Sequence, residues 1–264
     1  EMTLLRGHLR IIGRRVGPDT GDPRTFAGFD EFMEAYRRQV RFMVDSVAAG
    51  VELKDQVYAS TLHNPYVSAT LDGCVEAARD MTCGGARYDF ASISARGLGT
   101  AVDSLAAIRT AVYERNRFTM TELLAALARN FAGHEPMRQY LAHRTPRYGS
   151  DDPDVDALAA ELVDLFCDEV SSRASERGGP YRPGFFSYGM HVLEGALLGA
   201  TPDGRRSGEP ISTSLSPPNG SARAAPTGVF NSVAGPPPPR APTGSPLHVK
   251  PLPPPPAGPP GRPD

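Results

Sequence analysis

The chain has few cysteines, no long apolar run and almost no net charge, and each shortage removes a class of function. Its three cysteines, Cys74, Cys83 and Cys167, are an odd number with neither zinc-ligand nor redox-pair spacing. That excludes a disulfide framework and points to a reducing, cytoplasmic location. No segment reaches the roughly 18 apolar residues that a membrane helix requires. Arg6, Arg10, Arg14 and Arg15 interrupt the apolar stretch that a signal peptide would need. With 28 Lys and Arg against 30 Asp and Glu, the formal net charge is -2. No global field would therefore draw in nucleic acid or an anionic membrane. The 6 histidines form no HxxxH or HxH pattern, so no metal site is expected. A dinucleotide fingerprint, a P-loop, a GxSxG elbow, a repeat of 20–50 residues and a heptad array are also missing.

What is present is the sequence of a globular protein. The 264 residues are 40% hydrophobic and 22% charged, enough for one large domain or two small ones with a substantial core. Residues 1–12 read as the end of a helix, before a Gly/Pro/Asp loop from Gly13 to Pro23. Phe29, Phe32, Met33, Tyr36, Val40, Met43, Val44 and Val47 repeat at helical spacing. Gly50 is expected to stop that helix, a shorter one to run through Leu62, and His63-Asn64-Pro65 to force a break. Ala101 to Tyr113 reads as a helix burying Val102, Leu105, Ala106, Ile108 and Val112. Thr119 and Glu122 form a capping box that opens another. Asp152 as N-cap and Pro153 at the first position open one more, with Val155, Leu158, Leu162, Leu165 and Phe166 on its apolar face. Arg87 to Ile93 and Phe185 to Leu193 are the candidate strands, both after Gly-rich turns. Gly199-Ala200-Thr201-Pro202-Asp203-Gly204-Arg205-Arg206 spells a tight turn, with Pro202 presetting φ and Gly204 where a Cβ would clash. From Pro217 onward Pro, Gly, Ala and Ser dominate, and disorder or polyproline II is expected.

Four constellations carry chemical options. Cys74 stands two positions from Glu76 and reads either as a thiol nucleophile or hydrogen-atom shuttle beside an acid/base, or as a buried helical cysteine with Glu76 on the solvated face. Gly84-Gly85 marks a plain turn or an anion nest. Arg14, Arg15 and Arg24 flank the early loop, to hold a phosphate or simply to be solvated. His191, in the apolar Phe185–Leu193 run, reads as a core histidine or a ligand.

Several ordered blocks carry a resemblance. They are Gly17 to Arg24, Asp72 to Phe90, Val102 to Ile108, Arg147 to Asp152, Arg182 to Ser187, Gly199 to Arg206 and Pro226 to Val233. Together they resemble the glycyl radical enzymes, the family of pyruvate formate-lyase and its diol-dehydratase-like relatives. The resemblance implies an α/β fold, helix-rich, forming the second half of a ten-stranded barrel. It implies formate acetyltransferase or dehydratase/lyase chemistry on a small-molecule substrate. The radical would be installed on a glycine by a radical S-adenosylmethionine activating enzyme and passed to a cysteine inside the barrel. It also implies the activating enzyme as a partner and a homodimer as an assembly. Phe186 and His191 fall on the strand that reaches the substrate pocket, where several relatives have Tyr and Asn respectively.

The chain departs from that pattern at both radical positions. Gly73-Cys74-Val75-Glu76 imitates the family's Gly-Cys-[Val/Ile]-Glu-Pro loop, but Ala77 replaces the proline, and the residues that follow match a downstream structural block. The Arg-Val-x-Gly-Tyr glycyl loop does not occur. The expectation is a partial barrel over residues 1–216, inactive by itself and binding no cofactor, followed by a Pro/Gly-rich tail over 217–264. The tail reads as a degraded or misread frame of a GC-rich gene, or as a polyproline ligand for SH3- or WW-like grooves. Prolines 236–239, 242, 246 and 251 would remove backbone donors from it. The alternatives are a non-catalytic interaction module and one part of a split radical enzyme.

Overall fold

The computed structural model describes residues 1–221, 226–235 and 240–249. The N-terminal residues form turns and a small antiparallel hairpin of β1 (His8–Leu9) and β2 (Arg14–Arg15), not the end of a helix. Gly7 explains the difference. Its φ is +84°, and a Cβ there would strike the carbonyl oxygens of Gly17 and Pro18. In the following loop Asp19 accepts from Arg6 and Arg15, and Asp22 accepts from Arg24. Arg15 and Arg24 are thus engaged by neighbouring carboxylates.

Helix α1 (Phe29–Thr61) is a single rod of 33 residues, about 50 Å long at 1.5 Å per residue. It runs straight through Gly50, contrary to the expected stop. A mid-helix glycine costs about 1 kcal/mol relative to alanine, and anchoring on both sides of it outweighs that. Asp45 pairs with Arg173, the Tyr181 hydroxyl donates to the Ala48 carbonyl and to Glu52, and Asp55 pairs with Arg177. The helix ends one residue before Leu62. Asn64 then caps the short α2 (Pro65–Ser68), with Pro65 at its first position.

β3 (Ala91–Ser94) leads into α3 (Leu98–Ile108), which continues as a π-type turn over Arg109–Glu114. The five apolar residues assigned to this helix's inner face are all buried. α4 (Met120–Ala128) begins with the capping box intact: the Glu122 N–H donates to Thr119 Oγ1 at 3.2 Å, and the Thr119 N–H to Glu122 at 2.8 Å. α5 (Glu135–His143) and α6 (Pro153–Ser171) follow. α6 is capped by Asp152, and of its expected apolar face only Leu165 is not fully buried. It is the central pillar, packing on α1, α3 and β4 (Tyr181–Gly184).

β3 and β4 pair in parallel, Ala91 opposite Tyr181 through Ser94 opposite Gly184. Both strands lie near the expected segments, but the second is displaced. Gly189, at φ +78°, turns the chain into helix α7 (Met190–Leu197), where an extended strand was expected. The apolar run Phe185–Leu193 is too short for periodicity to separate strand from helix. Among the described residues there are two two-stranded sheets and no closed barrel.

The expectation of disorder from Pro217 onward fails for part of the tail. Helix α8 (Pro226–Ala234) packs on α6. Residues 241–248 also make specific backbone hydrogen bonds. The Phe185 N–H donates to the Gly244 carbonyl at 2.8 Å and the Thr243 N–H to the Pro183 carbonyl at 3.3 Å. Pro242 and Pro246 are accommodated because this strip donates from Thr243 and accepts at Gly244 and Pro246. Prolines 236–239 and 251, and with them the polyproline reading, lie outside the described residues.

Candidate functional site

Alternation along β3 and β4 sends Ala91, Ile93, Tyr181 and Pro183 into the core. Ser92, Ser94, Arg182 and Gly184 face the other way. On that outer face the Arg182 guanidinium sits 4.6 Å over the Phe90 ring. Gly184 lets Thr243 pack directly on the strand, since a Cβ at this position would collide with Thr243 Oγ1. Past the C-terminal ends of the two strands, where open parallel sheets commonly bind ligands, lie Phe186, Tyr188, His191, Arg96 and Glu194.

Phe186 follows β4 by two residues and is half-buried, its ring centroid 4.3 Å from that of Tyr188. His191 lies on α7 instead of in a strand, which corrects the expectation drawn from its apolar neighbours. Its carbonyl accepts the Ile211 N–H at 3.2 Å, and its Nδ1 is buried without a hydrogen-bond partner. Glu194, three residues on, pairs with Arg96, two residues before α3. Phe186 and Tyr188 form one contacting pair here, and Arg96 and Glu194 another.

Cys74 and Glu76 lie elsewhere. Cys74 is buried in a series of turns, not a helix, and lines a groove of about 540 Å³ with His63, Ser68, Arg79, Asp80 and Cys83. Neither Phe186 nor His191 lines that groove. Glu76 is exposed and accepts the Gly73 N–H at 3.2 Å. The loop is organised by Asp80, whose carboxylate accepts from Thr82 Oγ1 at 2.7 Å, the Thr82 N–H at 2.9 Å, Ser68 Oγ at 2.8 Å and the Asn64 N–H at 2.8 Å. These donors, the Thr82 hydroxyl foremost, hold its carboxyl well below the usual carboxylate range. Gly84 has φ +79°, and a Cβ on Gly85 would run into the Arg79 carbonyl. Their N–H groups donate to Met81 and Asp80 carbonyls, which resolves the glycine pair as a turn.

The Gly199–Arg206 segment is a turn, with the Gly204 N–H donating to the Thr201 carbonyl at 3.0 Å and Gly204 at φ +89°. It belongs to a buried polar knot that sequence reasoning did not assemble. Arg147 donates to Asp103 Oδ2 and to the Ala142 and Asp203 carbonyls, each at 3.0 Å. The Tyr148 N–H donates to Asp103 Oδ1 at 2.8 Å. Arg205 donates to Thr201 Oγ1 and to the carbonyls of Gly195, Gly199, Arg206 and Glu209. Burial pushes its pKa below the ordinary value. The available signal was Asp103, a lone carboxylate on the apolar side of α3. These contacts hold the chain that carries α7, and Arg147, Asp203 and Arg205 also line a cavity of about 390 Å³. Among the described residues no three His, Cys, Asp or Glu side chains converge as metal ligands would.

A profile of the pyruvate formate lyase-like family matches residues 1–195. The chain belongs to this family. Among its pyruvate formate lyase-like relatives, trans-4-hydroxy-L-proline dehydratase of Clostridioides difficile is 36% identical over 234 residues, covering 89% of this chain and 30% of the relative. The structure of the glycerol-bound B12-independent glycerol dehydratase from Clostridium butyricum superposes with a TM-score of 0.89 at 32% identity, over 93% of this chain and 31% of that one. A glycyl radical enzyme from Archaeoglobus fulgidus gives a TM-score of 0.82 at 32% identity, over 88% of this chain and 29% of that one. The resemblance to the glycyl radical enzymes is thereby shown, and the helix-rich α/β architecture is theirs. The chain spans about 30% of the length of the curated relative named above. No helix among the described residues is long and apolar enough to cross a membrane.

Proposed function

We propose that this chain forms the second half of the barrel of a glycyl radical dehydratase or lyase, and supplies one wall of its substrate pocket. The observation that carries this reading is the TM-score of 0.89 over 93% of the chain against a glycerol dehydratase of which it covers 31%. Two of the three relatives named are dehydratases, which favours dehydration or elimination over formate acetyltransfer. The outer face of β3 and β4 would then look into the barrel. Phe186 would press an apolar ring against a small substrate, and His191 and the Arg96–Glu194 pair would border the pocket. Phe186 has no hydroxyl to donate, so the pocket would exclude water at this point without orienting a substrate oxygen.

Neither the Gly-Cys-x-Glu-Pro loop nor the Arg-Val-x-Gly-Tyr loop occurs in the 264 residues. The chain alone is therefore inactive and binds no cofactor. A radical S-adenosylmethionine activating enzyme would act on a glycine outside it, in a cytoplasmic assembly that includes homodimers of the whole enzyme. Cys74 and Glu76 have a structural part in this reading. The test is anaerobic reconstitution with the activating enzyme, read by electron paramagnetic resonance and by turnover of glycerol and hydroxyproline. The chain alone should give neither radical signal nor product. Both should appear when a polypeptide bearing the two missing loops is supplied. Turnover by the chain alone, or a Cys74→Ser variant that abolishes reconstituted turnover while folding normally, would overturn the reading.

A further inference from the structure

At the C-terminal end of β3 a hydroxyl stands uncommitted. Ser94 lies opposite Gly184 in the parallel pair, and the Ala95 N–H, donating to the Gly184 carbonyl at 2.9 Å, fixes that register. Its side chain is on the outer face of the pair and is partly exposed. A Cβ on Gly184 would lie 3.2 Å from Ser94 Oγ and 3.4 Å from the Gly244 carbonyl oxygen. One on Gly244 would lie 3.4 Å from the Phe186 ring. Ser94, Gly184, Gly244 and Phe186 are therefore successive neighbours along one surface. A second hydroxyl on that surface, Thr243 Oγ1, has its proton committed, since it donates to the Pro183 carbonyl at 2.7 Å. Ser94 Oγ makes no hydrogen bond to any described residue. Of the two, Ser94 is the one with a proton to give.

We propose that Ser94 is a substrate-binding residue whose hydroxyl holds a hydroxyl group of a small polyol or hydroxylated amino acid beside the Phe186 ring. The inference rests on the dehydratase reading above, and it supplies the polar contact that Phe186 cannot make. A serine hydroxyl donates one hydrogen bond and has two lone pairs to accept with. It therefore matches an alcohol, and the contact desolvates no charge. Past the strand ends Arg96 is already paired with Glu194, so the contact offered here is a neutral one. Gly184 and Gly244 contribute no side chains, which lets one small molecule reach both Ser94 and the ring.

The test uses the anaerobically reconstituted assembly of this chain, a polypeptide bearing the two missing loops and the activating enzyme, with glycerol and trans-4-hydroxyproline as substrates. Ser94→Ala should keep the radical signal and kcat while raising KM about tenfold, the worth of one neutral hydrogen bond made alike in ground and transition states. Ser94→Thr keeps the hydroxyl and suits a strand, so it should restore KM. Binding to the radical-free assembly gives a second readout. Ser94→Ala should weaken trans-4-hydroxyproline by the same factor and leave L-proline, which lacks the hydroxyl, unchanged. An unaltered KM in Ser94→Ala, an equal loss for hydroxyproline and proline, or no rescue by threonine would overturn the proposal. The radical signal separates the two levels. Its absence from the unmodified assembly removes the dehydratase reading and this proposal with it, whereas a signal with neither substrate bound removes the Ser94 proposal alone.

Discussion

Asp80 and Asp103 each gather a loop around one carboxylate, at different depths and with different partners. Asp80 draws four neutral donors from Asn64, Ser68 and Thr82, all within 16 residues of it. Asp103 is wholly buried and is met by Arg147 and Tyr148, 44 and 45 residues away. The difference teaches what each knot depends on. Around Asp80 the geometry is local, and what acid removes is the carboxylate's charge. Around Asp103 a charge has left water altogether, and its stability depends on one distant cation.

The sharpest way to break the comparison is Arg147→Ala. Removing the cation beside the buried Asp103 should cost about 3–5 kcal/mol in urea unfolding, as buried ion pairs do when one partner is removed. Arg147→Lys should not restore it, because a lysine cannot reach Asp103 and two carbonyls with one planar fork. A joint Asp103→Leu and Arg147→Met replacement should recover much of the loss. A cost below about 1 kcal/mol for Arg147→Ala would show that the knot is not what holds this region.

A smaller effect is expected at Asp80, and pH reveals it. Its folded carboxyl is held below the ordinary value, so its contribution is fully present above the ordinary carboxylate pKa and is lost as pH falls through the folded value. Asp80→Asn should lower the melting temperature at neutral pH and flatten its decline on acidification. An acid limb identical to that of the unmodified chain would show that Asp80 contributes nothing.

Smallest of the three is the cap of α4, as local as Asp80 but on a helix end. Thr119→Ala should cost about 1 kcal/mol, measured by thermal unfolding. The loss should be unchanged in the Arg147→Ala background, since no contact joins the two sites. Marked non-additivity would mean that the local and distant knots are one system.

The same division governs what could be read beforehand. The capping box at Thr119, the Asp152 cap with Pro153 behind it, the inner face of α3 and the Pro202–Gly204 turn are all set by residues within one or two turns of each other. Each appears as the sequence implies. Gly50 and the Phe185–Leu193 run misled because their outcome is tertiary. Anchors from Arg173, Tyr181 and Arg177 keep α1 intact across a weak residue. Gly189 directs an ambiguous apolar stretch into a helix. The proline-rich composition concealed α8, whose place depends on burying Ser232 against α6.

Sequence by itself determined the family, because motifs in fixed order survive without any knowledge of contacts. It also determined the local devices, whose partners are near neighbours along the chain. Tertiary structure alone decided that Cys74 and Phe186 lie apart, that His191 sits on a helix, and that Asp103, Arg147 and the Gly199–Arg206 turn are one buried knot. The physical reason is that burial and long-range pairing are properties of the folded interior. There a carboxylate is stabilised or destabilised by whichever groups the packing brings to it, however far away they stand in the chain.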